Sequence, residues 1–262
     1  MPQPILSRLS VIDLVPFGNA ESETELYALR LTPPAWEGWK PGQFIMLRPV
    51  DASPERLWGR PFSICRVTPN DLTIFFQILG RATADMARLV PGSLLDVWGP
   101  LGNAFVMEAN TPTLLLAGGI GIAPFVGYAQ NHPTPGKLGM EFGHRLPLEC
   151  YPLNNIREYI QTDAHQEKHP DDRQAFIRRM DERIAQHAAH GLTLACGPTP
   201  FLQEVQSLAL KHNARAQLSL ETRMACGVGA CLGCVVKVEG YNVQTCTCGP
   251  VFWADSVSLA LA

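Results

Sequence analysis

The stretch MACGVGACLGC, residues 224–234, places three of the chain's eight cysteines within nine positions, among glycines and alanines. No other feature restricts the fold as tightly. A segment so rich in thiols and so poor in large side chains cannot build a core of its own, so everything after residue 220 needs a staple. Cys226 is followed after four residues by Cys231 and after two more by Cys234, and eleven residues then separate Cys234 from Cys246. Cys248 is a fifth thiol nearby, whereas Cys65, Cys150 and Cys196 are isolated and read as core residues. The N-terminus, MPQPILSRLSVIDL, lacks a basic stretch followed by an apolar one, so no signal peptide is expected. The apolar run at 114–129 is too short to cross a membrane and is broken by Gly118, Gly119, Gly121 and Pro124. A cytoplasmic location is expected, where thiols stay reduced and clustered cysteines bind metal or do redox work.

The thiol spacing narrows that choice. Three close cysteines on one loop and a distant fourth form the arrangement of plant-type 2Fe-2S ferredoxins. Four thiolates must converge on two irons, and backbone N–H groups must reach the sulfurs. Gly227, Gly229, Ala230 and Gly233 clear the side chains that would prevent this and permit positive φ. A structural zinc site usually takes two C-x2-C pairs, and only one is present here. Spacing alone leaves Cys246 and Cys248 in competition for the fourth position.

The rest of the 262-residue chain divides by pattern. Residues 26–31, 44–48, 62–67, 72–78 and 94–98 read as short strands, with turns at Pro41-Gly42 and Pro91-Gly92 and one helical insert at 84–89. Strands at this spacing predict a closed antiparallel β-barrel over 1–102. From 103 to 219 strand and helix alternate. Apolar strands at 113–117 and 192–196 each lead into a helix, and 171–190 carries Phe176, Met180, Ile184 and Ala188 at helical spacing. This half predicts an α/β domain with a mostly parallel sheet. Residues 146–170, rich in Pro, Asn, His and charge, carry no readable period. Residues 220–262 form the third, cysteine-bearing segment. A net charge of −3 without basic runs excludes a nucleic-acid grip, and no Ser/His/Asp or paired-carboxylate constellation is evident.

Two further stretches carry chemistry. Arg60-Pro61-Phe62-Ser63 opens a barrel strand, where an arginine fork suits a diphosphate, Phe62 a flat ring and Ser63 a polar contact. Gly80-Arg81-Ala82-Thr83 then opens the short helix, whose N-terminal amides suit a phosphate. In the second half, Gly118, Gly119 and Gly121 follow a buried strand and enter a helix, and Cys196-Gly197-Pro198 ends the other strong strand. Both lie where an open α/β sheet gathers its ligands.

Arg60 to Ser63, Gly80 to Thr83, Gly99-Pro100-Leu101-Gly102-Asn103, the Gly-Gly-x-Gly-x-x-Pro turn and Cys196-Gly197-Pro198 follow, in order, the ferredoxin–NADP reductase superfamily. The ending, MACGVGACLGC with Cys246-Thr247-Cys248-Gly249-Pro250-Val251-Phe252, resembles the electron-transfer subunits of NAD-dependent dihydroorotate dehydrogenases. The resemblance covers nearly the whole chain. It implies FAD on the barrel, held by Arg60, Pro61, Phe62, Ser63, by Phe76, Gln77 and Ile78, and by Ala82 and Thr83. It implies NAD at Gly118, Gly119, Gly121, Cys196, Gly197 and Pro198. The 2Fe-2S ligands it implies are Cys226, Cys231, Cys234 and Cys246, the last because the family's fourth cysteine lies three residues before the Gly-Pro-Val-Phe glycine. Ala82 departs from the family's usual glycine. Thr162-Asp163-Ala164-His165-Gln166 stands where the family carries an acidic loop with glycine and serine.

The resemblance further implies an FMN-containing dihydroorotate dehydrogenase catalytic subunit as partner, two copies of each, with electrons passing from its FMN through the cluster and FAD to NAD in pyrimidine synthesis. Met224, Val228, Leu232, Val251, Phe252 and Trp253 are candidates for that contact, although the last three serve equally as internal packing. Two other readings share parts of this pattern. One is a reductase subunit of a bifurcating transhydrogenase or sulfhydrogenase, and the other is a zinc-stabilised binding module without redox function.

Overall fold

The computed structural model describes residues 4–18, 25–51 and 58–259. Its first half is a closed barrel of six antiparallel strands. These are β1 (Ile5–Phe17), β2 (Leu26–Leu31), β3 (Phe44–Pro49), β4 (Arg60–Val67), β5 (Leu72–Gln77) and β6 (Leu94–Leu101), arranged β1-β2-β5-β4-β3-β6. Strand β1 was not anticipated from the sequence, yet it closes the barrel. Its first half pairs with β6 and its second with β2, with the register shifting between Val11 and Asp13. A bulge of this kind lets one long strand bend across two neighbours. Leu29, Leu31, Ile45, Leu47, Ile64, Ile74, Phe76 and Val97 fill the interior, and Met86 of helix α1 (Arg81–Met86) caps it. The helix starts three residues before the expected 84. Thr83 Oγ1 accepts the N–H groups of Leu79 and Gly80 at 2.9 and 3.2 Å and fixes its first turn there.

The second half is a six-stranded sheet. Strands β7 (Thr113–Gly118), β8 (Leu138–His144), β9 (Gln161–Gln166), β10 (Leu192–Cys196) and β11 (Ala216–Ser219) are parallel. Helices α2 (Ala123–Asn131) and α3 (Asn154–Arg157) belong to the core on one face, while α4 (Pro170–His187) and α5 (Thr199–Lys211) cover the other. Strand β9 is a correction to the sequence reading, which took 162–166 for a loop. It has no apolar run because it is a sheet edge held by charge. Glu141 at the centre of β8 is fully buried and takes His165 Nε2 at 2.7 Å, Arg179 at 3.0 Å and Arg183 at 2.9 Å, while Arg179 also reaches Asp163 at 3.3 Å.

The halves share a core. Helix α2 packs on the barrel so closely that a Cβ on Gly127 would lie 2.7 Å from the carbonyl oxygen of Cys65 on β4. The cysteine segment builds a small sheet from β12 (Val235–Val238), β13 (Tyr241–Gln244) and β15 (Val257–Ser258), with helix α6 (Thr245–Cys248) before β14 (Val251–Trp253). It borrows cores from both neighbours. Strand β14 pairs antiparallel with β11 at the end of the large sheet, and Val236, Val238 and Val243 pack on the α5 side. Val251 and Phe252 are therefore buried packing residues and present no contact face. Cys65, Cys150 and Cys196 are buried, as expected. No helix among the described residues is long and apolar enough to cross a membrane.

Asp71 pins one end of the barrel. Its buried carboxylate accepts from Arg30 at 2.8 Å, Arg66 at 3.2 Å and Thr68 at 2.6 Å. Burial alone would raise its pKa, but the Thr68 hydroxyl and the two guanidinium groups outweigh it and hold the value below the ordinary one. A depressed carboxylate contributes stability that is complete above its unfolded pKa of about 3.9 and is lost as pH falls through the folded value. Asp71→Asn should lower the unfolding free energy at pH 7 by about 1–3 kcal/mol. In denaturant melts the gap from wild type should shrink below about pH 4, the unfolded value; a gap unchanged between pH 7 and pH 3 would refute this account.

Candidate functional site: a cleft and a thiol loop with a common wall

A cleft of about 520 Å³ opens between the barrel and the carboxyl ends of the parallel strands. Its barrel side carries Arg60, Pro61, Phe62, Ser63, Phe76, Gln77, Ala82 and Thr83, and its sheet side carries Gly121 and Cys196. The residues singled out from these five stretches thus converge on one cavity, from segments far apart in the chain. Arg60 Nη1 donates to the carbonyls of Trp58 and Gly59 at 3.0 and 3.2 Å, which fixes the fork at the cleft's barrel end. Thr83 keeps its hydroxyl for the helix cap, so toward a ligand the α1 turn offers backbone and the Arg81 side chain.

Five candidates do not line the cavity. Ile78 donates its N–H to Glu25 O and extends the β5 ladder. Gly118, Gly197 and Pro198 pack around Phe201, where a Cβ on Gly197 would lie 2.7 Å from the ring. Gly119 turns the chain at φ 53°. These residues shape the floor rather than the surface. Gly121 does both: a Cβ there would meet Cys196 O at 2.1 Å, so only glycine brings this turn over the end of β10.

The sequence reading missed the wall formed by Ser219, Leu220, Glu221, Thr222 and Met224, together with Phe44 and Pro250. Its one available cue was position, since this stretch runs from the end of a sheet strand into the thiol loop. Thr222 Oγ1 is buried without a hydrogen-bond partner, as a hydroxyl meant for a ligand would be. The Glu221 carboxyl has its pKa raised by desolvation, and burial pushes the Cys196 thiol up to about 12. A largely apolar cavity with a few convergent polar groups and an arginine fork fits a flat, phosphate-bearing cofactor.

The four thiols at 226, 231, 234 and 246 are arranged as two pairs. Cys231 donates its backbone N–H to Cys226 Sγ at 3.4 Å, and Cys234 and Cys246 are buried together in one apolar cluster. Pairs suit a dinuclear cluster, with one pair for each metal. Amides already point at the sulfurs. Cys226 Sγ accepts from Val228 N at 3.5 Å and Cys231 N at 3.4 Å, and Cys246 Sγ accepts from Gly229 N at 3.2 Å. The turn that aims them uses positive φ at Gly227 and Gly229, and a Cβ on Gly227 would strike Met46 at 2.4 Å. Cys248 is exposed, with its sulfur 3.8 Å from the Thr247 hydroxyl, whereas Cys246 is buried beside Cys234.

Cleft and thiols share a wall. Phe44 and Met224 line the cavity and also pack, with Met46 and Leu101, against Cys234 and Cys246.

A family model described as the iron-sulfur cluster binding domain of dihydroorotate dehydrogenase B matches residues 221–258. The chain is 31% identical over 245 residues to the dihydroorotate dehydrogenase B (NAD(+)) electron transfer subunit of Caldanaerobacter subterraneus subsp. tengcongensis, covering 91% of this chain and 95% of that one. The subunit of the same name from Geobacillus kaustophilus is 34% identical over 231 residues, covering 84% and 87%. In fold, the chain is similar to a solved NADH-dependent reduced ferredoxin-NADP oxidoreductase, with a TM-score of 0.80 at 20% identity, covering 95% of this chain and 89% of that chain. A ferredoxin-NADP+ reductase from Plasmodium falciparum gives 0.65 at 15% identity, covering 78% and 90%.

The two ends of the thiol site differ in acidity. Burial would raise the Cys226 pKa, but the N–H groups of Val228 and Cys231 outweigh it and bring the thiol down to about 7. The thiolate is the nucleophile, so in metal-free protein iodoacetamide should label Cys226 with a rate that rises with pH and is half-maximal near pH 7. Cys196 should stay unlabelled at that pH. Peptide mass spectrometry across a pH series reads both, and a Cys226 midpoint near the ordinary thiol value of about 8.5 would refute the amide cage.

Proposed function

The chain belongs to the family of dihydroorotate dehydrogenase B electron transfer subunits, and we propose that it holds FAD in the cleft and a 2Fe-2S cluster on the thiol loop. It thereby carries electrons from the FMN of a catalytic dihydroorotate dehydrogenase subunit to NAD. The observation that carries this reading is the common wall: Phe44 and Met224 touch both the cavity and the buried thiol pair. When bound, the cluster carries single electrons, and the flavin collects two and exchanges them with nicotinamide as hydride.

The chain's own residues supply position and environment. Arg60, with Pro61, Phe62 and Ser63, receives the FAD diphosphate and ring. Phe76 and Gln77 support the ring from β5, with Ile78 extending that strand behind them, and Ala82 with Thr83 presents α1 backbone to the phosphates. Gly121 and Cys196 face the nicotinamide, on a floor shaped by Gly118, Gly119, Gly197 and Pro198. Glu221 and Thr222 complete the polar contacts. Cys226, Cys231, Cys234 and Cys246 are the ligands, one pair to each iron. In this scheme the functional units are 1–102 for FAD, 103–219 for the nucleotide and 220–262 for the cluster, and the setting is the cytoplasm.

The partner docks over the thiol loop, where Val228 and Leu232 are 45% and 62% exposed beside the partly exposed Cys226 and the exposed Cys231. Two copies of each subunit form the complex, in keeping with the prevalence of two-fold assemblies. The bifurcating reductase reading has the fold similarity in its favour, but at 20% identity that similarity speaks for the fold alone. The isolated chain should oxidise NADH with artificial acceptors and show no dihydroorotate activity. Mixed with an FMN-containing dihydroorotate dehydrogenase subunit, it should form a stable complex that reduces NAD with dihydroorotate. Failure to bind that subunit, with tight binding to a transhydrogenase or hydrogenase subunit instead, would overturn the partner assignment.

The ligand set has its own test. Cys231→Ser should abolish the iron-dependent visible absorption, and Cys248→Ser should leave it intact. Iron lost from Cys248→Ser but retained by Cys246→Ser would reverse the assignment of the fourth ligand.

A further inference from the structure

Trp98, the middle of β6, lies between the two candidate cofactor sites and belongs to no motif. Its indole N–H donates to the carbonyl of Cys226, 128 residues away, at 2.9 Å. Its benzo edge lies against Gly59, where a Cβ would meet Trp98 Cη2 at 2.3 Å, and Gly59 directly precedes Arg60. The same ring packs with Phe44, Met46 and Leu101 on the cluster of side chains that encloses Cys234 and Cys246.

We infer that Trp98 is a positioning residue that sets the electronic environment of the thiol site through the Cys226 carbonyl. The inference rests on the reading that the four thiols hold a 2Fe-2S cluster. Cys226 Sγ receives amides from Val228 and Cys231, and their aim depends on how the Cys226 peptide is turned. The thiol loop is built from glycines and alanines and cannot fix that peptide by its own packing. A hydrogen bond from a rigid barrel strand can. It also withdraws electron density from a carbonyl dipole next to the sulfurs, and hydrogen bonding around the ligands is a main determinant of cluster potential. Because Gly59 leaves room for the ring, the strand that presents Arg60 and the loop that presents Cys226 are registered against one side chain.

The test replaces Trp98 site-specifically with β-(3-benzothienyl)alanine, which keeps the ring shape and lacks the N–H, alongside Trp98→Phe. Iron, acid-labile sulfide and FAD content are measured together, followed by redox titration monitored by electron paramagnetic resonance and by iron release to a chelator. The benzothienyl protein should retain FAD and take up iron as wild type does. Its cluster midpoint should move to a more negative potential, and its iron release should quicken roughly twofold to tenfold, the effect of one neutral hydrogen bond. A midpoint and release rate equal to wild type would overturn the inference. So would joint loss of FAD and iron, which would make Trp98 a packing residue. Should Trp98→Phe fail to fold, the benzothienyl protein decides. Wild-type protein that takes up no iron and sulfide would instead sink the cluster reading on which the inference stands.

Discussion

The architecture turns on Asn103, the residue that follows the Gly102 turn at the end of β6. Its backbone N–H donates to Gly249 O at 2.7 Å, and its side-chain amide donates to Val251 O at 2.7 Å and Cys248 O at 3.1 Å. Its side-chain oxygen accepts the Val251 N–H at 2.9 Å. One side chain thus satisfies the backbone polar groups on either side of Pro250, where the chain leaves the thiol site and enters β14. Gly102, at φ 71°, permits the approach, since a Cβ there would lie 2.5 Å from Gly249 O. Buried backbone groups at such a junction are costly when unpaired, so this clamp holds the cysteine segment to the barrel more firmly than its own small sheet could.

The rest follows by connectivity. Strand β14, once anchored, pairs with β11, and Leu220 N donates to Pro250 O at 2.9 Å. The segment that leaves β11 is therefore held beside the clamp, and it runs along the cleft as Leu220 to Met224 before entering the thiol loop. Both sites are bounded by this one short segment. The barrel supplies the opposite wall from β4 and β5, and the close contact of α2 with β4 fixes how far the cleft opens. The shape of the cleft here comes from strand ends and close backbone approach, as at Gly121 over the end of β10.

What the sequence disclosed depended on where apolar residues go. Strands β7 and β10 are buried on both faces and read as mostly apolar runs, Thr113 to Ala117 and Leu192 to Cys196. Strand β1 spreads its apolar side chains over a barrel wall, with Leu9 and Val11 inward and Ile5 and Leu6 outward, so no single period stands out. Strand β9 is polar except for Ala164, because it is an edge secured by the Glu141 hub from a neighbouring strand, which no local pattern can reveal. Ten of the fifteen flavin and nucleotide candidates line the cleft, for glycines, prolines and an arginine fork leave local traces. Glu221 and Thr222 left none. Their place in the cleft is set by the β11–β14 pairing and the Asn103 clamp, both of them long-range.

The two thiol pairs are not equivalent. Cys231 is exposed and Cys226 partly so, whereas Cys234 and Cys246 are buried against Met46 and Leu101. On the proposed reading, the outer pair faces the partner beside Val228 and Leu232, and the inner pair abuts the wall of the FAD cleft. Added negative charge is better tolerated at the solvated, amide-rich outer end, where Cys226 is already acidic, than at the inner end, where desolvation and the neighbouring Cys234 push the Cys246 pKa up. A cluster held there would have Cys226 and Cys231 at its solvated, amide-rich end and Cys234 and Cys246 at its apolar end beside the cleft. Phe44 and Met224 line the cleft and also pack against the buried thiol pair, so one layer of side chains belongs to both sites.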